Sequence, residues 1–300
     1  MAKKKLSEEE RLQKQLEEKS FIEENWNKIS SKSMSHTLYN GDSKNLKFIN
    51  DNTIDLIVTS PPYYNAKEYS QWDNVTNYIK DMHKIFKECF KKLKPGRKLC
   101  LNISDIPVKG ESGVRWIPLG PYLISELEKI GYELIDRIFW FKTPLMGFQY
   151  GSLPYPPSPL ICDSVEYVYV FRKPGRADYK YVNSENKNAS KLSRDEYAEY
   201  TKQIWSIRRV RLKGNENGHT APFPYELPYR CIKMYSFVGD IVFDPFGGSG
   251  TTSLAAIDLK RNSIISEINS DYYNLIKENI FQKKSLFNND TIIEIQEKAK

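Results

Sequence analysis

Apolar residues along the chain alternate between short solid runs and helical repeats, and their order sets the fold class. Residues 54–58 (Ile-Asp-Leu-Ile-Val) and 240–243 (Asp-Ile-Val-Phe) are strand-length runs of the kind buried on both faces of a parallel sheet. Residues 36–41, 98–103, 132–141 and 262–268 read as further strands, and 165–171 (Val-Glu-Tyr-Val-Tyr-Val-Phe) is strongly β-prone. Between them Tyr78, Ile79, Met82, Ile85, Phe86, Cys89, Phe90 and Leu93 recur at helical spacing, in a helix expected to stop at Pro95-Gly96. Helices are also expected over 121–130, in the stretch 222–232, over 252–259 and over 271–283. Strands alternating with helices predict an α/β fold with a doubly wound, mostly parallel sheet.

Two stretches depart from this rhythm. Residues 1–35 form a charged helical arm, rich in Glu, Lys, Gln and Leu, whose packing partner the sequence leaves open. Residues 173–218 are polar and basic, and they separate a first half of the body, 36–172, from a second, 219–290; 291–300 reads as a tail. From Arg172 to Lys213 there are twelve Lys/Arg against five Asp/Glu, a local +7 equal to the excess of the whole chain. Such a block can neutralise phosphates.

The remaining composition mostly excludes. Apolar runs are far shorter than the roughly 20 residues of a membrane span. The amino terminus lacks the apolar core of a secretory signal. The four cysteines are scattered with no Cys-x-x-Cys pair, which favours free thiols and a cytoplasmic setting over a disulfide or zinc framework.

In open α/β sheets ligands sit beyond the carboxyl ends of the strands, and here two of the buried strands deliver chemistry. The run at 54–58 leads into Thr59-Ser60-Pro61-Pro62-Tyr63, a stiff turn with a hydroxyl, a free carbonyl and an aromatic face. The run at 240–243 leads into Asp244-Pro245-Phe246-Gly247-Gly248-Ser249-Gly250-Thr251-Thr252, where small residues let the backbone approach a ligand. Neither phosphate-loop fingerprint is present, so the loop suits a ligand without a pyrophosphate. Glu267 ends the next strand, at the spacing of a carboxylate that accepts ribose hydroxyls, and Asp42 ends another strand within reach of an adenine amine.

The paired motifs resemble those of the DNA amino-methyltransferases, in which a target-base motif of the Ser/Asp/Asn-Pro-Pro-Tyr/Phe type accompanies a Phe-x-Gly-x-Gly loop. Target motif first and cofactor loop last resembles the permuted β group, over most of 36–283. Residues 219–227 (His-Thr-Ala-Pro-Phe-Pro-Tyr-Glu-Leu) resemble the segment that closes over the methionine end of the cofactor, with His219 in support.

The resemblance implies S-adenosyl-L-methionine as cofactor, held by Asp42, Phe223, Asp244, Phe246, Gly248, Gly250, Thr251 and Glu267. It implies a catalytic set of Ser60, Pro61, Pro62 and Tyr63. The Ser60 hydroxyl and Pro61 carbonyl would accept the hydrogens of an exocyclic amine, with Tyr63, aided by Tyr64, stacking on an extruded base.

Serine at position 60 resembles the N4-cytosine enzymes; Asp or Asn there is typical of N6-adenine enzymes. No cysteine follows a proline, against carbon-5 methylation. The basic segment falls where β-group enzymes carry target recognition, giving Arg172, Lys173, Arg176, Lys180, Arg208, Arg209, Arg211 and Lys213 as candidate contacts to double-stranded DNA. A cognate restriction endonuclease is the usual partner of such enzymes. N6-adenine methylation, a non-catalytic nucleic-acid-binding module, an RNA substrate, and a monomer or a homodimer all remain open from the residues alone.

Overall fold

The computed structural model describes residues 7–29, 34–64, 71–111, 113–143, 161, 163–210, 224–286 and 292–296. Their elements in order are α1 Glu8–Lys28, β1 Ser35–Asn40, β2 Ile54–Thr59, α2 Val75–Lys92, β3 Leu93–Ile103, β4 Ile106–Gly110, β5 Gly113–Ile117, α3 Leu119–Ile130, β6 Glu133–Thr143 and β7 Val165–Arg172. The chain continues through α4 Ser184–Ala189, α5 Arg194–Tyr200, β8 Ile204–Arg208, α6 Glu226–Tyr235, β9 Ile241–Asp244, α7 Thr251–Asp258, β10 Asn262–Glu267, α8 Ser270–Leu286 and β11 Ile292–Gln296.

The main sheet runs β11-β1-β10-β9-β2-β3-β7-β6-β8, with β4 and β5 as a separate hairpin. All its pairings are parallel except those of β7, which runs against both β3 and β6. The expected doubly wound α/β sheet is therefore present. Its order reverses between β2 and β9, where Leu56 pairs with Val242 and Ile57 with Phe243. Two strands far apart in sequence thus end side by side.

Alternation along the strands builds a core on each face. Leu99, Leu101, Tyr169 and Phe171 pack under α2 and α3, whereas Cys100, Val168, Val170 and Leu56 pack against Leu227, Cys231 and Ile232 of α6 and Ala255 and Ala256 of α7. Helix α2 begins where Asn74 accepts a hydrogen bond from Asn77 N, and its apolar stripe from Tyr78 to Cys89 is buried.

Several expectations shift. Helix α2 ends at Lys92, before Pro95-Gly96. That pair makes an irregularity inside β3, where pairing with β2 jumps from Leu93 to Lys98 and Gly96 takes φ +75. A Cβ there would lie 2.4 Å from Ala177 N. The 173–218 stretch holds α4, α5 and the edge strand β8, and the stretch read as a tail contains β11, paired with β1. The arm packs on the body: Glu18 meets Lys191 at 2.6 Å and Arg194 at 3.6 Å, and Lys260 Nζ donates to the carbonyls of Trp26 and Ile29. Part of the basic block therefore holds α1.

Candidate active site

The adjacent ends of β2 and β9 open into a cavity of about 740 Å³, within the range of small-molecule sites. Thr59 and Asp244, 185 positions apart, meet at its floor, where Thr59 Oγ1 donates to Asp244 Oδ1 at 2.6 Å. This bond joins the two motifs directly. Ser60, Pro61, Pro62 and Tyr63 line one wall, and Asp42, Asp244, Phe246, Gly248, Thr251 and Glu267 line another.

The glycine loop is shaped by two carboxylates. Asp244 also accepts from Phe246 N at 3.0 Å and from Thr252 Oγ1 at 2.7 Å. Burial raises its pKa to about 7, against the pull of these donors. Glu267 accepts from Gly248 N and Asn269 N, each at 2.8 Å, and burial raises its pKa too. A carboxylate has about four acceptor positions, so Glu267 keeps capacity for hydroxyls in the cavity while it fixes the loop. Gly248 takes φ +54, and a Cβ there would meet nothing closer than Phe246 O at 3.9 Å. Its backbone borders open space, as close approach to a ligand requires.

The chemistry of the lining fits a nucleoside with an amino-acid arm. It offers carboxylates for hydroxyls and amines, exposed small-residue backbone, and the Phe246 face. Asp42 is half-buried and accepts from Lys44 N at 2.9 Å.

Gly250 does not line the cavity. It caps α7 at φ +81, where a Cβ would lie 3.2 Å from Ile276 Cγ2, so its contribution is to start the helix. Phe223, Arg211, Lys213 and His219 lie outside the described residues, as does 144–160 of the loop before β7.

On the target side, the Tyr63 hydroxyl donates to Glu166 Oε2 at 2.8 Å. Burial, then the Glu166 charge, pushes this phenol well above its ordinary pKa. Glu166 in turn accepts from Asn102 Nδ2 at 3.3 Å and faces Lys142 Nζ at 3.5 Å; Lys142 pairs with Asp163 at 2.9 Å. Sequence reasoning missed Asn102, Lys142 and Glu166, all of which line the cavity. The signal available was the lone acid of the Val165-to-Phe171 run and the lysine that ends the apolar strand before it.

The candidate DNA contacts separate into two groups. β7 runs antiparallel, so Glu166 lies at the cavity end and Arg172 at the opposite end, roughly 20 Å away at 3.3 Å per residue. Arg172 pairs there with Glu133, and Lys173 Nζ donates to Asn52 Oδ1 and to the carbonyls of Phe90 and Leu93. Arg176 and Lys180 are exposed and follow these residues in the chain, after the far end of β7. Arg208 and Arg209 sit at the cavity end, because β8 runs parallel to β6 and Arg208 pairs with Thr143; Arg209 lines the cavity itself.

A doubly wound sheet with a base-sized turn and a nucleoside-type loop sharing one cavity defines a group-transfer site rather than a dinucleotide oxidoreductase. Residues 54–278 match the DNA methylase family N6_N4_Mtase, and the chain belongs to that family.

The type II beta methyltransferase M.BslI of Bacillus sp. (strain NEB-606) is 37 % identical over 254 residues, which cover 80 % of this chain and 27 % of that protein. The type II methyltransferase M.MjaI of Methanocaldococcus jannaschii is 32 % identical over 295 residues, covering 86 % and 95 %. The crystal structure of a DNA modification methylase from Thermus thermophilus, complexed with S-adenosyl-L-methionine, superposes with a TM-score of 0.71 at 28 % identity, covering 88 % of this chain and 99 % of that one. S-adenosyl-L-methionine is the methyl donor of the family.

Proposed function

We propose that the protein is a site-specific DNA methyltransferase that moves a methyl group from S-adenosyl-L-methionine to the exocyclic N4 amine of cytosine. The observation that carries this reading is the single cavity between the Ser60–Tyr63 turn and the Asp244–Thr252 loop, joined at its floor by the Thr59–Asp244 bond. Asp42, Asp244, Phe246, Gly248, Thr251 and Glu267 would hold the cofactor, which when bound supplies an electrophilic methyl on a sulfonium. Phe223 is assigned to the same group from its motif.

The chain's own residues then place and orient the nucleophile. An exocyclic amine is a weak nucleophile because its lone pair is delocalised into the ring. Ser60 Oγ and the Pro61 carbonyl accept its hydrogens and turn the nitrogen lone pair toward the methyl. Pro61 and Pro62 carry no N–H, so no competing donor enters the turn. The amine is out of reach inside a duplex, so the base is extruded and the Tyr63 ring offers it a face. Placement and electrostatics supply most of the acceleration.

Serine at position 60 favours cytosine over adenine. Arg208 and Arg209 at the mouth of the cavity, with Arg211 and Lys213 next in the chain, are the duplex-facing cations of this reading. The type II relatives place the enzyme in a restriction–modification setting, in the cytoplasm, beside an endonuclease of the same specificity. Nucleoside mass spectrometry of DNA from a host expressing the protein tests the base. N4-methylcytosine is expected, N6-methyladenine would move the assignment to adenine, and no new modified base would overturn the activity.

A further inference from the structure

Methylating an amine releases a proton, and the cavity wall offers it a path. Glu166 is held by three partners: the Tyr63 hydroxyl at 2.8 Å, Asn102 Nδ2 at 3.3 Å and Lys142 Nζ at 3.5 Å. An ionised carboxylate only accepts, so Tyr63 must donate to it. The phenolic oxygen is then left as an acceptor, and the Ser60 hydroxyl meets that oxygen. With its own hydrogen committed to Tyr63, Ser60 presents only lone pairs to the cavity. Every donor in the series points the same way, from the cavity toward Glu166, and each bond strengthens the next.

We propose that Ser60, Tyr63 and Glu166 form a proton path, with Glu166 receiving the proton shed by the base amine. This rests on the amine-methylation reading above. The amine lone pair forms the new N–C bond as the C–S bond breaks, and the electron pair of that bond stays on sulfur. The nitrogen gives one proton to Ser60 Oγ, Ser60 gives its own to Tyr63 Oη, and Tyr63 gives its hydroxyl proton to Glu166 Oε2. Both hydroxyls are restored, the carboxylate becomes neutral, and no further reactant is needed.

The surroundings suit a terminal acceptor. When Glu166 is neutralised, Lys142 keeps Asp163 as its counter-ion at 2.9 Å, so no buried charge is stranded. The side chains of Glu166 and Asp163 are 14 % and 39 % exposed, which opens a route to water for the next turnover. Asn102 also donates to the Tyr167 carbonyl at 3.1 Å, which fixes the amide that holds the carboxylate.

The test uses the full-length protein, tritium-labelled S-adenosyl-L-methionine and unmodified bacterial DNA, in single turnovers in H2O and in D2O. Tyr63→Phe removes one oxygen and keeps the ring; Glu166→Gln keeps the shape and removes the basic oxygen. Each should slow methyl transfer by about 10²-fold, the lower end for proton-transfer catalysis, with cofactor and DNA affinities within about twofold of the parent. The double variant should be no slower than the slower single one. The parent should be slower in D2O, and Tyr63→Phe equally fast in both solvents.

A purely positional role for Glu166 would leave the solvent effect of the parent absent or unchanged in Tyr63→Phe. A parental rate in Glu166→Gln would likewise end the proposal, and if that variant fails to fold, Tyr63→Phe decides alone. A parent that binds cofactor but labels no DNA would overturn the methylation reading instead.

Discussion

Asp244 is the most informative single position for stability, because it is fully buried at the floor of the site and carries a strong pH signature. Its pKa rises from 3.8 to about 7, chiefly through burial. The sign follows from proton counting. Below about pH 4 both folded and unfolded chains hold this proton. From about pH 4 to pH 7 the unfolded carboxyl loses it while the folded one keeps it, so stability falls as pH rises. The slope is about 1.4 kcal/mol per pH unit and the accumulated cost at pH 8 about 4 kcal/mol.

Asp244→Asn removes the titration yet keeps an oxygen for Thr59 Oγ1 and Phe246 N, leaving only the Thr252 contact to be rearranged. Urea unfolding of the ligand-free protein at pH 5, 6, 7 and 8 should show the variant gaining on the parent with each step and levelling off above pH 7. Glu267 shifts in the same direction, but it is common to both proteins and cancels in the difference. The same substitution should weaken cofactor binding above pH 7, where the parent presents an anion to a sulfonium. Parallel stability profiles for parent and variant would refute the assignment of this cost to Asp244.

Further outcomes follow from the site. Gly248→Asp has room for its side chain but requires φ +54 beside the Glu267 carboxylate; the protein should fold, by circular dichroism, and lose cofactor binding in titration calorimetry. Replacing Arg208 and Arg209 by Ala should reduce the salt slope of log DNA affinity by up to about 1.8, at about 0.9 per phosphate contact. Replacing Arg172 and Arg176, after the far end of β7, should leave that slope unchanged in the same filter-binding series. Lys260→Ala removes the cation held by the Trp26 and Ile29 carbonyls and stacked 4.6 Å from the Trp26 ring. The arm 1–35 should then be cut faster in limited proteolysis, with cofactor binding unchanged.

What could be read in advance was what is local. The two buried strands, their turns, the glycine loop and Glu267 each lie within a short stretch whose pattern names its own conformation. Adjacency was not local: Thr59 and Asp244 touch only because the sheet reverses between β2 and β9. The direction of β7 was equally hidden. Glu166 and Arg172 belong to one strand, yet the antiparallel course puts the acid in the cavity and the arginine at the far end. Net charge over 173–218 therefore overstated the DNA-facing cations, since Lys173, Lys191 and Arg194 are engaged within the fold. Pro95-Gly96 carried the right turn chemistry for a helix stop, but the helix had already ended and the pair served an irregular strand.

The central claim is that the serine–proline turn and the glycine loop bring a base amine and a methyl donor together in one cavity. The direct measurement is transfer of tritiated methyl from S-adenosyl-L-methionine to unmodified DNA by the purified protein and by Ser60→Ala, with cofactor affinity measured on both. The account predicts label in DNA from the parent, and almost none from Ser60→Ala at unchanged cofactor affinity. A folded, cofactor-binding parent that labels no DNA, or a Ser60→Ala variant as active as the parent, would contradict it.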